Sequence, residues 1–107
     1  MPAVNAYAVA HAAARAAERI EGVVDLDGGP LGSFSTYGDG RSCSGVTVTA
    51  TGDELEVQVR LIAAFGTVLP RLAAQVRAAV GREVSGWAGG RTVVVDIEIT
   101  DLAAAAG

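Results

Sequence analysis

The chain has 107 residues and a net charge of −4; half of its residues are apolar but only 5% are aromatic. This length suits one domain with a two-layer core, and no apolar run approaches the roughly 18–20 residues that a membrane-spanning helix needs. The chain contains no lysine and its eight arginines are scattered, which argues against nucleic-acid binding. We therefore expect a single cytoplasmic domain over residues 1–107, with no signal peptide.

The first third of the chain predicts a helix, a short strand and a long loop. The helix runs from about Ala6 to Glu21, with Asn5 as its N-cap and Gly22 as its stop. A short strand follows at 23–27. The segment 28–45 is rich in Gly and Ser and predicts a long loop that is mobile unless a partner orders it.

Two strands joined by a tight turn come next. Apolar and threonine side chains alternate from Val46 to Thr51, and apolar and polar ones alternate from Glu54 to Phe65. Gly52 and Asp53 between them are turn residues, so the pattern predicts a β-hairpin.

A strand–helix–strand unit closes the chain. The second helix has Pro70 in its first turn and apolar residues at helical spacing, and the last strand alternates from Thr92 to Thr100. A helix between two strands predicts a parallel pair through a right-handed crossover. The fold class is therefore α+β: a two-layer sandwich in α-β-β-β-α-β order, with a mixed sheet and both helices on one face.

Several pieces of this order together resemble a known family. They are Ile20-Glu21-Gly22-Val23, the Gly-rich insert, Gly45-Val46-Thr47-Val48, Leu55-Glu56-Val57-Gln58-Val59, Phe65-Gly66, Pro70, Leu72-Ala73, Val76-Arg77, Val80, Val84-Ser85-Gly86-Trp87 and Val95-Asp96-Ile97-Glu98-Ile99. Over residues 5–101 the chain resembles the alkaline shock protein family, also described as the envelope stress response family of Gram-positive bacteria.

This resemblance implies a non-enzymatic protein without a cofactor. Members are typically abundant, cytoplasmic and self-associating, and some are held at the membrane by a separate small anchor protein. The resemblance therefore implies a homo-oligomeric scaffold with a membrane-anchored partner. It supplies no catalytic residues.

One stretch of the sequence predicts a contact surface. The alternation is lost at the end of the third strand, where apolar residues fall on both faces. We expect an interface at Leu61, Ile62, Ala64 and Phe65, together with Val94 of the last strand. The alternative is that the loop at 28–45 folds back and covers this patch.

The rival prediction is a small ligand-binding, metal-binding or enzymatic domain. Carboxylates at Asp25, Asp27, Glu56, Asp96 and Glu98 are predicted on the outward sheet face. They suit acid–base chemistry or a divalent cation, whereas a solvated sheet face simply carries charge there. This face also suits a basic partner segment. Cys43, as a nucleophile with His11, is a further candidate for this rival function, but neither residue lies in a recognisable catalytic or metal-binding signature.

Overall fold

A computed structural model describes residues 3–104. Its elements in chain order are α1 (Ala6–Glu18), β1 (Val23–Leu26), a 3-10 turn (Pro30–Gly32), β2 (Ser35–Gly38), β3 (Arg41–Ser44), β4 (Val46–Thr51), β5 (Glu54–Ala64), α2 (Leu69–Ser85) and β6 (Thr92–Ala103). The fold is α+β, as predicted, with two more strands than the sequence pattern indicates.

The long strand β5 organises the main sheet. β4 pairs antiparallel with residues 54–59 of β5, and β1 pairs antiparallel with residues 61–63, so the two short strands follow one another along the same edge. β6 runs parallel to β5 from residue 54 to residue 64 and occupies the opposite edge. The predicted mixed sheet and its parallel crossover through α2 are confirmed.

Both helices pack on one face of this sheet. Alternate residues of β5, from Leu55 to Ala63, are buried against them, and the residues in between are partly exposed. α1 contributes mainly alanines to the core, whereas α2 contributes Leu72, Val76, Val80 and Val84. Small residues on α1 allow its backbone to approach the sheet closely, because alanine adds no more than a methyl group.

The ends of α1 follow local hydrogen bonding. The Asn5 side chain accepts a hydrogen bond from the Ala8 N–H at 3.0 Å, so the predicted N-cap is confirmed. The helix ends at Glu18 rather than at Glu21. The Ile20 N–H donates to the Ala17 carbonyl and the Val23 N–H donates to the Ile20 carbonyl, so a turn replaces the last three predicted helical residues and leads into β1 at Val23.

The predicted loop at 28–45 contains a β-hairpin. β2 and β3 pair antiparallel from Ser35 opposite Ser44 to Gly38 opposite Arg41. Asp39 and Gly40 form the turn, and both have a positive φ, as a two-residue turn of this kind requires. The interpretation of this segment as an irregular loop is therefore wrong, because the Asp-Gly pair is a hairpin signal that its Gly and Ser content obscured.

Candidate interaction surfaces

The structure separates the residues predicted to form one interface. Leu61 has no exposed surface and points into the core, because it belongs to the buried set of alternate β5 residues. Ile62 and Ala64 lie on the opposite face of β5 and are partly exposed. Phe65, just beyond the strand, is 78% exposed. Leu61 is thus a core residue, and its inclusion in the interface is wrong.

Val94 is exposed but lies far from Ile62. It pairs with Glu56 of β5, six residues before Ile62 along that strand. At a rise of about 3.3 Å per residue, the two side chains are about 20 Å apart. The parallel register therefore excludes a patch that contains both.

A different set of apolar side chains surrounds the end of β5. Ala63 pairs with Val23 on one side and with Leu102 on the other, and the Phe65 N–H donates to Ala103 at 2.8 Å. Val24 follows Val23 directly, and Val68 lies three residues after Phe65. We call this set the apolar end; its members are Val24, Ile62, Ala64, Phe65, Val68 and Leu102. Phe65 is 78% exposed and Val68 is 58% exposed, and Val24 and Leu102 are each 43% exposed.

The open sheet face is acidic. Strands β1, β4, β5 and β6 carry six carboxylates and a single arginine: Asp25, Glu54, Glu56, Asp96, Glu98 and Asp101 against Arg60. The two helices carry four arginines against two glutamates. The two layers therefore differ in charge, and the negative net charge of the chain is concentrated on the sheet.

Arg60, near the middle of β5, contacts a carboxylate and an aromatic ring. Its Nε lies 3.4 Å from Glu98 Oε2, and its guanidinium lies 4.9 Å from the centre of the Phe34 ring. Phe34 comes from the segment just before β2, so this segment contacts the open face near Arg60. The apolar end retains its exposed side chains despite this contact.

Hydrogen bonds to the Asp27 carboxylate connect the start of the 28–45 segment to β6. Asp27 Oδ2 accepts a hydrogen bond from the Thr100 hydroxyl at 2.7 Å, and Asp27 Oδ1 accepts one from the Gly29 N–H at 2.9 Å. These two bonds, with Arg60 nearby, lower the pKa of Asp27 below its ordinary value of 3.8. Ionised Asp27 therefore stabilises the folded state above about pH 4, and this contribution is lost as the pH falls through the lowered pKa.

Replacing Thr100 by valine is expected to reduce stability by an amount that depends on pH. The difference in free energy of unfolding between wild type and Thr100→Val should be constant above about pH 4 and shrink below it, because protonated Asp27 loses most of its preference for the donor. Urea unfolding between pH 2.5 and pH 7 measures this difference. Thr47→Val is the control, since Thr47 donates to the neutral Gln58 amide oxygen and its effect should not change with pH. Equal pH profiles for the two variants would contradict this interpretation.

His11 and Cys43 both line one cleft beside α1. The His11 ring is exposed and stacks on Tyr7 at 6.1 Å between ring centres, and no hydrogen bond joins it to Cys43 within residues 3–104. Cys43 is buried beside α1. Burial, with a smaller contribution from Glu18, raises the pKa of its thiol, so the reactive thiolate is disfavoured at neutral pH.

The described part of the chain contains neither a cluster of metal ligands nor a membrane-spanning helix. Among residues 3–104, no three side chains of His, Cys, Asp or Glu are grouped as a metal site requires. No helix within the same residues is long and apolar enough to cross a bilayer.

Solved structures with a similar fold include variants of the MamM CTD. One, in which a histidine and a glutamate are exchanged, has a TM-score of 0.50 and 14% identity and covers 94% of this chain and 95% of that chain. Another, with an aspartate and a histidine replaced by alanine, has a TM-score of 0.46 and 16% identity and covers 94% of each chain. At 14% identity, the TM-score of 0.50 supports the fold class alone. No curated protein sequence matches the chain significantly.

The family is defined by a sequence match. The family model of alkaline shock protein 23, described as having a cell envelope-related function, matches residues 3–104. The chain therefore belongs to this alkaline shock protein family, as the order of its motifs predicts.

Proposed function

We propose that this protein is a non-enzymatic cytoplasmic scaffold that serves the cell envelope by associating with itself and docking to a membrane-anchored partner. Membership of an envelope-related family supports the general role. The apolar end is the observation that carries the proposal, because it gives the chain an exposed surface whose burial favours association.

Self-association through the apolar end has a simple physical basis. Removing apolar surface from water contributes roughly 25 cal/mol per Å². Phe65, Val68 and Leu102 are each exposed, and the hydrogen bond from the Phe65 N–H to Ala103 holds Phe65 beside the end of β6, where a second copy can cover it. Aromatic residues, phenylalanine among them, are enriched in the buried centres of protein interfaces.

The variant Phe65→Asp is expected to weaken self-association about 30-fold or more. This corresponds to the loss of about 2 kcal/mol, the threshold for a hot-spot residue. Light scattering coupled to size-exclusion chromatography, over a range of loading concentrations, measures the change in average mass.

Leu31→Asp is the matched control for this measurement. Leu31 is fully exposed in the 3-10 turn and is not a member of the apolar end, so replacing its exposed apolar side chain by a carboxylate should leave the mass unchanged. If Phe65→Asp and wild type have the same mass at every concentration while the wild type is oligomeric, the apolar end is not the interface. Equal loss in both variants would mean that added negative charge, not the lost contact, separates the copies.

Docking to an anchor protein requires a separate experiment. The tagged chain is incubated with a detergent extract of membranes from its native cells, and the bound proteins are identified by mass spectrometry. We expect a small membrane protein that is retained by wild type and by Leu31→Asp. If the tagged chain retains only soluble proteins, the proposed docking to a membrane-anchored partner is contradicted.

A further inference from the structure

The outer edge of β6 is open over a considerable length. β6 extends over 12 residues and pairs with β5 along one edge; no strand within residues 3–104 pairs with its other edge. The Thr92 N–H donates to Asp53 at 2.8 Å, toward β5. Because backbone groups alternate in direction along a strand, those of Val93, Val95, Ile97 and Ile99 point to the open edge.

The side chains along this edge differ between its two faces. On the helix side Val95, Ile97 and Ile99 are only partly buried, although they pack against the core. On the outer side Asp96 and Glu98 are exposed. An additional strand would bury the remaining surface of the aliphatic residues and would bring its own outer side chains beside two carboxylates.

The charge of the outer face selects the kind of strand that fits. Arg60 lies near Glu98, whereas Asp96 has no ion pair among the described residues. With six carboxylates against one arginine on the sheet, lysine or arginine on the outer side of an added strand gains attraction and glutamate or aspartate meets repulsion.

A second copy fits this edge poorly. If two β6 strands pair antiparallel about Ile97, Asp96 of each copy lies opposite Glu98 of the other. Like charges directly opposite each other destabilise a strand pair, and charged residues are a common device against edge-to-edge association. In this register the acidic row therefore disfavours self-pairing, and in any register it favours a basic partner.

We propose that the open edge of β6 binds an extended basic segment of a partner protein as an added strand. The segment has about six to nine residues, with Lys or Arg alternating with apolar residues. Main-chain hydrogen bonds to the outward groups of β6 provide affinity, and the contacts with Asp96 and Glu98 provide specificity. This deepens the proposed partner docking and rests on it, but it is independent of self-association at the apolar end.

Synthetic peptides test this site directly. A nine-residue peptide of alternating Lys and Val, blocked at both ends, is titrated into the full chain by isothermal calorimetry. One control peptide has Glu in place of Lys, and a second has N-methyl groups on the residues whose N–H would pair with β6. We expect the Lys–Val peptide to bind, both controls to bind at least tenfold more weakly, and binding to weaken as the salt concentration rises.

Protein variants locate the binding to the β6 edge. The double variant Asp96→Lys with Glu98→Lys should bind the Lys–Val peptide at least tenfold more weakly. Glu18→Lys with Glu21→Lys makes the same change in net charge on exposed residues away from β6, and should stay within about threefold of wild type. Circular dichroism confirms that both double variants are folded.

Several outcomes would overturn the proposal. If the N-methylated peptide binds as tightly as the Lys–Val peptide, binding depends on charge and does not involve strand pairing. If the two double variants weaken binding equally, the peptide does not bind at the β6 edge. Failure of the Lys–Val peptide to bind, or cross-links between the β6 strands of two copies, would also overturn it. Apart from the β6 cross-links, which would move the contact between copies to β6, these outcomes with an oligomeric wild type leave the proposed self-association intact. A monomeric wild type that binds the peptide overturns self-association alone.

Discussion

The variant Gly45→Ala is expected to lower the free energy of unfolding by about 2–5 kcal/mol. A left-handed backbone at a residue with a Cβ atom costs roughly 1–2 kcal/mol, and overpacking by the added methyl group costs roughly 1–3 kcal/mol. Gly45 has a φ of +84° where β3 bends into β4. A Cβ atom there would lie 2.7 Å from Leu26 Cβ and 3.1 Å from the Arg60 carbonyl oxygen. These neighbours belong to paired strands and cannot move aside easily. Urea unfolding measures the loss, which is large against the 5–15 kcal/mol typical of a domain.

Gly40→Ala is the matched control for Gly45→Ala. Gly40 also has a left-handed backbone, with a φ of +72°, but an added Cβ has no neighbour within 4 Å. Its loss should be limited to about 1–2 kcal/mol of backbone strain. Equal losses in the two variants would show that the close approach at Gly45 does not matter.

Replacing Leu61 by alanine is expected to destabilise the fold by about 2–5 kcal/mol, the range for a buried leucine. Leu61 has no exposed surface, whereas its neighbour Ile62 is partly exposed on the other sheet face. Ile62→Ala should therefore reduce the free energy of unfolding clearly less, by about 1 kcal/mol. Chemical unfolding of both variants makes the comparison. A larger effect for Ile62→Ala would contradict the assignment of the two faces of β5.

Much of the fold was predictable because β5, α2 and β6 have strong periodic patterns. Alternation from Leu55 onward identified the buried face of β5, and the helix between two strands indicated the parallel crossover. The hairpin at 35–44 was missed because the residues around it are small and polar and show no alternation. Its one usable signal was the pair Asp39-Gly40, whose two positive φ angles suit a tight turn.

The interaction surface was only partly predictable from the sequence. Ile62, Ala64 and Phe65 stand out locally, because they interrupt the alternation. Val24 and Leu102 reach the same end of the sheet through pairing over long sequence distances, with a bulge in each strand pair. Val94 was misplaced for the same reason, since its distance from Ile62 depends on the register between β5 and β6.

Sedimentation equilibrium of the wild-type chain between about 10 µM and 1 mM tests the central claim of self-association most directly. The proposed scaffold predicts an average mass that rises with concentration well above the 10.7 kDa of one chain, and that falls back toward it in Phe65→Asp. A mass that stays at 10.7 kDa over the whole range would contradict it.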